Sequence, residues 1–340
     1  MSRENKDSPA PVLDDRFLDS ALRPTVWGDY VGQQNIKNNL QILLQAAKER
    51  GQPPEHLLFY GSPGLGKTTL AYLIAKELGV QIKITSGPAI EKVGDLASIL
   101  TNLATNDILF IDEVHRLNKL IEEVLYPAME SGVLNIIIGK GPGARVIQLD
   151  LPPFTLIAAT TKIAALSAPL RSRFSGGIFR LDFYTNREIE EIVNRSARVL
   201  GVTVAAAAAA AVATRSRFTP RAANQLLKRC RDLAQIKRRD IDESIVVETL
   251  ELLGIDKLGL TAADRRVLEV MIDKFNGGPV GLNTLAAAAA EEEATIEEVY
   301  EPYLLQLGFI ERTPRGRQIT PAAHAHLGRS NAKTNLFNQK

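Results

Sequence analysis

The chain has 340 residues, 45% of them hydrophobic and 24% charged, with a formal net charge of +2. That composition belongs to a folded chain of two or three domains and excludes a disordered protein or one that binds acidic partners by bulk charge. Its single cysteine, Cys230, excludes an internal disulfide, sits in no metal-ligand spacing and fits a reducing compartment.

Residues 1–20 are polar and lack periodicity, which reads as a flexible arm without a signal-peptide core. No apolar run approaches the ~20 residues of a membrane helix, so a cytoplasmic protein is expected. From Leu22 to about Phe183, short apolar runs alternate with amphipathic stretches. "HLLFY" (56–60), "QIKIT" (81–85), "DILFID" (107–112), "FTLIAATT" (154–161) and "FRLDF" (179–183) have the character of strands buried on both faces. Helical stretches such as "GKTTLAYLIAKELG" and "NKLIEEVLYPAMESG" lie between them. Alternation of this kind predicts an α/β domain with a doubly wound parallel sheet.

The first strand runs into Gly61-Ser62-Pro63-Gly64-Leu65-Gly66-Lys67-Thr68, which matches G-x-x-x-x-G-K-[ST] between a strand and a helix. Glycines let the backbone N–H groups face phosphate oxygens, and the helix N-terminus adds partial positive charge. Lys67 then reaches the β and γ phosphates, and Thr68 with Asp112 ligates Mg²⁺. Gly61, Gly64, Leu65, Gly66, Lys67, Thr68 and Thr69 form the expected nucleotide cradle. Asp112 and Glu113 end the apolar strand "ILFIDE", and Glu113 is placed to polarise the attacking water. That acidic pair favours ATP hydrolysis over simple binding. Thr160 and Thr161 end another strand, where a hydroxyl can position that water. His115 is close enough in sequence to tempt as a base, but Glu113 already fills the role.

One segment breaks the rhythm. "VLNIIIGKGPGARVIQLDL" (133–151) is two apolar runs around a glycine-rich turn, a β-hairpin signal. Ile136, Ile137 and Ile138 are consecutive, so at least one should be exposed. A docking surface and packing on the domain itself are equally compatible with that pattern.

Next comes "LSAPLRSRF" (166–174), in which Arg171 and Arg173 flank a serine. Arginine stabilises charge building on a transferring phosphoryl group, but spacing alone does not say which site these two reach. From Asn186 to about Gly254 the strand signals vanish and amphipathic helices follow one another, "NREIEEIVNRSARVL", "TPRAANQLLKRCRDLAQIK" and "DESIVVETLELLG". An alanine run at 205–211 is compatible with helix and shows no amphipathic face; a second lies at 286–290. Nine Lys and Arg between 215 and 239 face one acid, Asp232; such runs are most often solvated helix faces. From Gly259, three helices and then "FIERTPRGRQIT" give the order of a winged-helix module. Residues 260–340 hold nine Lys and Arg against ten Asp and Glu, so only the cluster Arg312, Arg315, Arg317 is locally positive. Contact with DNA through it should be salt-sensitive and independent of base sequence.

These residues together are similar to the AAA+ ATPases, and within them to the RuvB family of bacterial Holliday-junction branch-migration motors. The resemblance rests on "LRPTVWGDYVGQ", "HLLFYGSPGLGKTTLA", "LFIDEVHRL", "DLPPFTLIAATT", "APLRSRF", "TPRAANQLL" and "IEEVYEPYLLQLGFIERTPRGR", and it covers nearly all of residues 20–328. It implies an arm (1–20), an AAA+ ATPase domain (21–183), an all-helical lid (184–256), a winged-helix domain (257–330) and a tail (331–340). It further implies ATP and Mg²⁺ as cofactors, a homo-hexameric ring, and RuvA, RuvC and four-way-junction or duplex DNA as partners. Arg173 is implied to act on the ATP of an adjacent subunit, with Arg171 in support. Thr161 is implied as the first nucleotide sensor, and Pro220 with Arg221 as the second. Arg23, Pro24, Tyr30, Val31 and Tyr184 would line the adenine pocket. Leu134, Ile136 and Ile138 would dock RuvA. The sequence departs from the family at Phe218, where glycine is usual, at alanines 205–211, in "RFSGGIFRLDF" and in "IAATTK".

Two other readings use the same motifs. A clamp-loader-type ATPase shares the loop, the acids and an "SRF" arginine but would lack the winged module. A nucleotide-switched DNA-binding regulator would turn over slowly and prefer one base sequence, so a salt titration on unrelated duplexes separates it from a motor.

Overall fold

The computed structural model describes residues 20–138 and 145–329, with the side chains of Ile137 and Ile138 left out. The chain divides into two compact units, Met1–Gly201 and Val202–Lys340. The division falls inside the expected helical module, so helix Asn186–Leu200 belongs to the first unit.

In the first unit, β1 (Leu57–Tyr60), β2 (Ile82–Ser86) and β3 (Ile108–Asp112) alternate with helices. A hairpin of β4 (Val133–Ile138) and β5 (Arg145–Asp150) follows, then β6 (Thr155–Thr160) and β7 (Gly177–Arg180). The main sheet has the order β2-β3-β6-β1-β7, and its pairings are all parallel. β1, β3 and β6 are the inner strands, and their residues are almost wholly buried, as apolar parallel strands require. The edge strands β2 and β7 are only half covered, unlike the two-sided burial expected from sequence, because each has a neighbour on one side only. β7 also stops earlier than "FRLDF": Leu181 N still bonds Tyr60 O at 2.8 Å, after which the chain turns toward Tyr184.

Two helices beyond those singled out in the sequence flank this sheet, Gln34–Arg50 and Val93–Thr101. The hairpin forms as expected, but Leu134 is fully buried in the domain's own core and Ile136 packs partly against it. Leu134 is therefore corrected from docking residue to core residue: its position on β4 faces inward against helix Lys119–Ser131 and Leu151. The exposed apolar side chains are Val146 and Ile147 of β5. The Ile138 side chain and the turn at 139–144 lie outside the described residues.

The second unit begins with helices Ala206–Arg215, Pro220–Lys237 and Glu243–Leu252. The alanine run does have a buried face, formed by Ala208, Ala209, Ala211, Val212 and Ala213; methyl-sized contacts hide it from a charge-based reading. Cys230 is fully buried, and burial pushes its thiol up to about 11 against a smaller opposite pull from Thr249, so it is a packed and unreactive thiol. Of the cations at 215–239, Lys237 pairs locally with Glu248, Arg239 with Asp242, and Arg229 and Arg231 with Asp232, whereas Arg217 reaches the buried Asp264.

The winged-helix order follows: helices Ala262–Phe275 and Leu282–Ala289, a third helical segment, and a hairpin of β8 (Ile310–Thr313) and β9 (Gly316–Ile319). The third segment is not one α-helix. A π turn, Ile296–Tyr300, precedes helix Glu301–Gln306. Pro302 has no N–H to donate back to the preceding turn, and the hydrogen-bond ladder slips there. Among the described residues, no helix is long and apolar enough to cross a membrane.

Candidate active site

The sheet order puts the C-terminal ends of β1, β3 and β6 side by side. That is where an open parallel sheet collects ligands. β1 delivers the glycine loop, and Gly61 N bonds Thr160 O at 3.3 Å, tying the loop to the end of β6. Lys67 opens helix Lys67–Leu78; its Nζ donates to Gly61 O at 2.8 Å and to Ser62 O at 3.0 Å. Thr68 and Thr69 follow in the first helical turn, where backbone N–H groups have no intrahelical partner.

Tyr30 and Tyr184 come together against this loop from opposite ends of the domain sequence. Their hydroxyls are 3.4 Å apart, and Tyr184 also donates to Leu65 O at 3.2 Å. A Cβ on Gly66 would lie 3.2 Å from the Tyr30 hydroxyl, so glycine permits this approach. Burial raises both phenols, Tyr184 to about 12, and keeps them neutral donors and acceptors. Pro24 and Val31 are half-buried in the same N-terminal segment. Arg23 instead lies over the ring of Tyr72 on the loop helix, 5.1 Å from its centroid.

β3 delivers the acids. Asp112 Oδ1 accepts from Glu113 N at 2.9 Å, and Glu113 takes a left-handed conformation, φ +48°, that turns the chain sharply at the strand end. Thr161 Oγ1 donates to Glu113 Oε2 at 3.3 Å, and His115 Nδ1 lies 3.2 Å from the same oxygen. His115 Nδ1 also contacts Thr160 Oγ1 at 2.9 Å, and Thr160 Oγ1 accepts from Lys162 N at 2.9 Å. One network thus fixes the carboxylate between two strand ends. The sequence reading set His115 aside; its signal was the two-residue spacing from Glu113, which the short 3-10 turn Val114–Arg116 converts into contact.

No group of three or more acidic, histidine or cysteine side chains able to hold a metal occurs among the described residues. Thr68, in the first turn of helix Lys67–Leu78, and Asp112, at the end of β3, are oxygen donors of the kind that Mg²⁺ takes.

The "PLRSRF" arginines lie elsewhere. Arg171 and Arg173 are carried by and just after helix Ala168–Ser172. Arg173 is bonded to Glu130 and Pro169 and stacked on Tyr126, not to the glycine loop. In the second unit, Pro220 and Arg221 open helix Pro220–Lys237 behind the cap Thr219, and Arg221 is exposed. In the wing, Arg315 is exposed at the turn between β8 and β9, whereas Arg312 and Arg317 both reach the buried carboxylate of Glu301.

Three family models match consecutive parts of the chain. They are the Holliday junction DNA helicase RuvB P-loop domain over residues 22–181, the RuvB AAA lid domain over 184–256 and the RuvB C-terminal winged helix domain over 257–328. A relative from Dehalococcoides mccartyi, named Holliday junction branch migration complex subunit RuvB, is 60% identical over 328 residues, 96% of this chain and 94% of its own length. One of the same name from Chloroflexus aggregans is 54% identical over 329 residues, again 96% and 94%. Among solved structures, the Thermotoga maritima RuvB Holliday junction branch migration motor matches with a TM-score of 0.84 at 49% identity, over 91% of this chain and 99% of that one.

Proposed function

The chain belongs to the RuvB family of AAA+ ATPases, and from that premise we propose that it drives branch migration of Holliday junctions as a hexameric ring working with RuvA. Its setting is the bacterial cytoplasm, and RuvC is a further partner.

The observation that carries the ring is the position of Arg173. Lys67 bonds the chain's own glycine loop, and Thr161 and Glu113 bond each other at the neighbouring strand ends, while Arg173 is held by Glu130, Pro169 and Tyr126. An arginine that the family likeness assigns to phosphoryl transfer, and that is tied to Glu130 and Tyr126 beside its own helix, fits a role at a neighbour's nucleotide.

The chain's residues then divide the work. Tyr30, Tyr184, Pro24 and Val31 enclose the base, and Arg23 lies over Tyr72 of the loop helix and not in that pocket. The loop N–H groups and Lys67 hold the β and γ phosphates. Glu113, aimed by Thr161 and His115, accepts a proton from the attacking water. Arg171 supports Arg173, and Arg173 of the adjacent subunit meets the charge that develops on the transferring oxygens. Thr68 and Asp112 would hold Mg²⁺, which would supply charge neutralisation on the phosphates. Arg221 senses the bound nucleotide from the helical module, and Arg315 meets DNA phosphates. RuvA docks on the hairpin, where Ile136, Val146 and Ile147 offer partly or largely exposed apolar surface.

The test is ATP turnover per subunit against protein concentration, with and without four-way-junction DNA and RuvA. A site completed between subunits gives a specific rate that rises with concentration and rises again with junction and RuvA. A rate flat in concentration and indifferent to DNA overturns the ring motor.

A further inference from the structure

The second unit contains a cluster that nucleotide chemistry does not use. Helix Ala206–Arg215 is followed by Arg217 and Phe218, both at φ +55°. Consecutive left-handed residues with side chains are uncommon and persist only where the surroundings hold them. Thr219 then caps helix Pro220–Lys237, which carries Arg221 in its first turn.

The surroundings are the winged-helix module. Arg217 Nη2 donates to Asp264 Oδ1 at 3.0 Å and to Val299 O at 3.3 Å, and its guanidinium lies 4.7 Å from the centroid of the Tyr303 ring. Asp264 is fully buried; its other oxygen accepts from Thr261 N and Oγ1 at 2.8 and 2.6 Å and caps helix Ala262–Phe275. The Phe218 ring meets the Tyr303 ring at 5.9 Å, and the Tyr303 hydroxyl donates to Leu258 O in the connection between the modules. Gly259 closes the same connection: a Cβ there would lie 2.7 Å from Arg215 O.

The segment that Arg217 grips also grips the wing. Val299 and Tyr303 flank Glu301, which has no accessible surface. Arg312 donates to it at 2.8 and 3.0 Å, and Arg317 at 3.1 and 3.1 Å, from β8 and β9 respectively. Two sets of contacts, one from Arg217 and Phe218 to Val299 and Tyr303 and one from Glu301 to both strands of the wing, are thus joined through the backbone of 299–303.

We propose that Arg217 is a positioning residue of the motor: it clamps the winged-helix module to the helix bearing Arg221, so that a displacement of that helix is carried rigidly to the DNA-binding wing. The proposal rests on the reading of Arg221 as nucleotide sensor and of the wing as DNA contact. A flexible tether between the modules would dissipate the movement. A planar guanidinium held by a buried carboxylate, a carbonyl and an aromatic face does not permit one, and lysine cannot reproduce all three contacts.

The test uses the full chain with RuvA and junction DNA, comparing wild type with Arg217→Ala, Arg217→Lys and Tyr303→Leu. Hydrogen exchange reads the clamp directly. Arg217→Ala should speed exchange at the amides of Leu258–Thr261 while helix Pro220–Lys237 keeps its protection. Branch migration per ATP hydrolysed reads the coupling. It should fall by ~3- to 30-fold in Arg217→Ala, with basal turnover and KM for ATP within about twofold of wild type, and less in Arg217→Lys. Tyr303→Leu, which keeps the ion pair but removes the ring, should show the same split and covers the case that Arg217→Ala fails to fold. Unchanged exchange overturns the clamp whatever Arg221 does. Faster exchange with an unchanged ratio, or turnover and migration falling in the same proportion, overturns the mechanical role. Failure of the sensor reading is separate: Arg221→Ala would then leave ATP affinity and turnover unaltered.

Discussion

The guanidinium of Arg173 pairs with the carboxylate of Glu130 within one subunit, Nη2 to Oε1 at 2.9 Å, while Nη1 donates to Pro169 O at 2.6 Å and the plane lies 4.2 Å from the Tyr126 ring centroid. Nε is buried and has no partner. Glu130 is half exposed, so its pair with Arg173 is worth about 0–1 kcal/mol. An arginine acting on a transferring phosphoryl group is worth ~10³-fold or more in rate, so on the proposed reading the weak pair with Glu130 is no obstacle to Arg173 meeting a neighbour's phosphate in the transition state. Arg173→Ala should lower ATP turnover by ~10³-fold with little change in ATP affinity. Mixing it with Lys67→Ala, which is dead for the opposite reason, should restore part of the activity, because some interfaces then combine an intact loop with an intact arginine. A mixture as inactive as its parents would place the arginine's action within its own subunit.

Glu113 Oε2 is contacted by both Thr161 Oγ1 and His115 Nδ1. Glu113→Gln should keep ATP binding and lower hydrolysis by ~10²- to 10⁴-fold, the range of a positioned general base. Thr161→Val removes the hydroxyl 3.3 Å from Oε2 without changing side-chain volume much, and should lower kcat by ~10-fold while leaving ATP affinity intact. Equal losses in affinity and kcat would mean that Thr161 acts on nucleotide binding and not on the carboxylate.

The glycine loop, the acids and the inner strands were legible because each follows from local rules: apolar runs for inner strands, glycines for a tight turn, carboxylates at a strand end; the order of the strands in the sheet, a long-range property, was not read. Chemistry that depends on long-range approach was not. Tyr30 and Tyr184 entered the nucleotide site only through the family resemblance, since nothing local links two tyrosines so far apart in sequence. Leu134 shows the opposite failure. Three successive isoleucines drew attention to β4 as a surface, while the facing helix that buries Leu134 is invisible to a reading of the hairpin alone. Phe218 was legible as a departure, and it adopts the left-handed conformation that glycine would take; its ring partner Tyr303, in another module, could not be read. The wing arginines were legible as a charge cluster, but not the buried Glu301 that organises two of them.

That organisation separates the roles of the wing arginines. Arg315 is exposed at the turn, so Arg315→Ala should weaken binding uniformly across unrelated duplexes and reduce the slope of log affinity against log salt by ~1. Arg317 is held against Glu301; burial alone raises that carboxyl, but the bonds from Arg312 and Arg317 outweigh it and hold it below the ordinary glutamate range. Arg317→Ala should therefore lower the thermal midpoint of the winged-helix module by removing half of the compensation of a buried charge, at less than the ~3–5 kcal/mol of a fully unpaired one because Arg312 stays bonded. A substitution at Arg317 that changed only the salt slope would show that it faces phosphate and not Glu301.

His56 gives the first unit an acid-side weakness. It ties three elements together: Nε2 donates to Met129 O at 3.0 Å, Nδ1 accepts from Leu156 N at 2.9 Å, and the ring packs 5.6 Å from that of Phe154. Burial, the largest influence, lowers its pKa below the usual histidine value, against smaller opposite effects of the Met129 carbonyl and Glu55. A proton on Nδ1 would also meet the Leu156 N–H head-on. In the unfolded chain the imidazole titrates near ~6.5, so below that pH the unfolded state binds more protons than the folded one. Stability is then complete above about pH 6.5 and falls as pH drops, by at most about 1.4 kcal/mol per pH unit from this residue. Denaturant midpoints measured from pH 7.5 to 5.5 should decline, and His56→Gln should be less stable at pH 7.5 yet show a shallower decline. An unchanged slope in that variant would assign the acid sensitivity to other groups and leave His56 a purely steric part of the core.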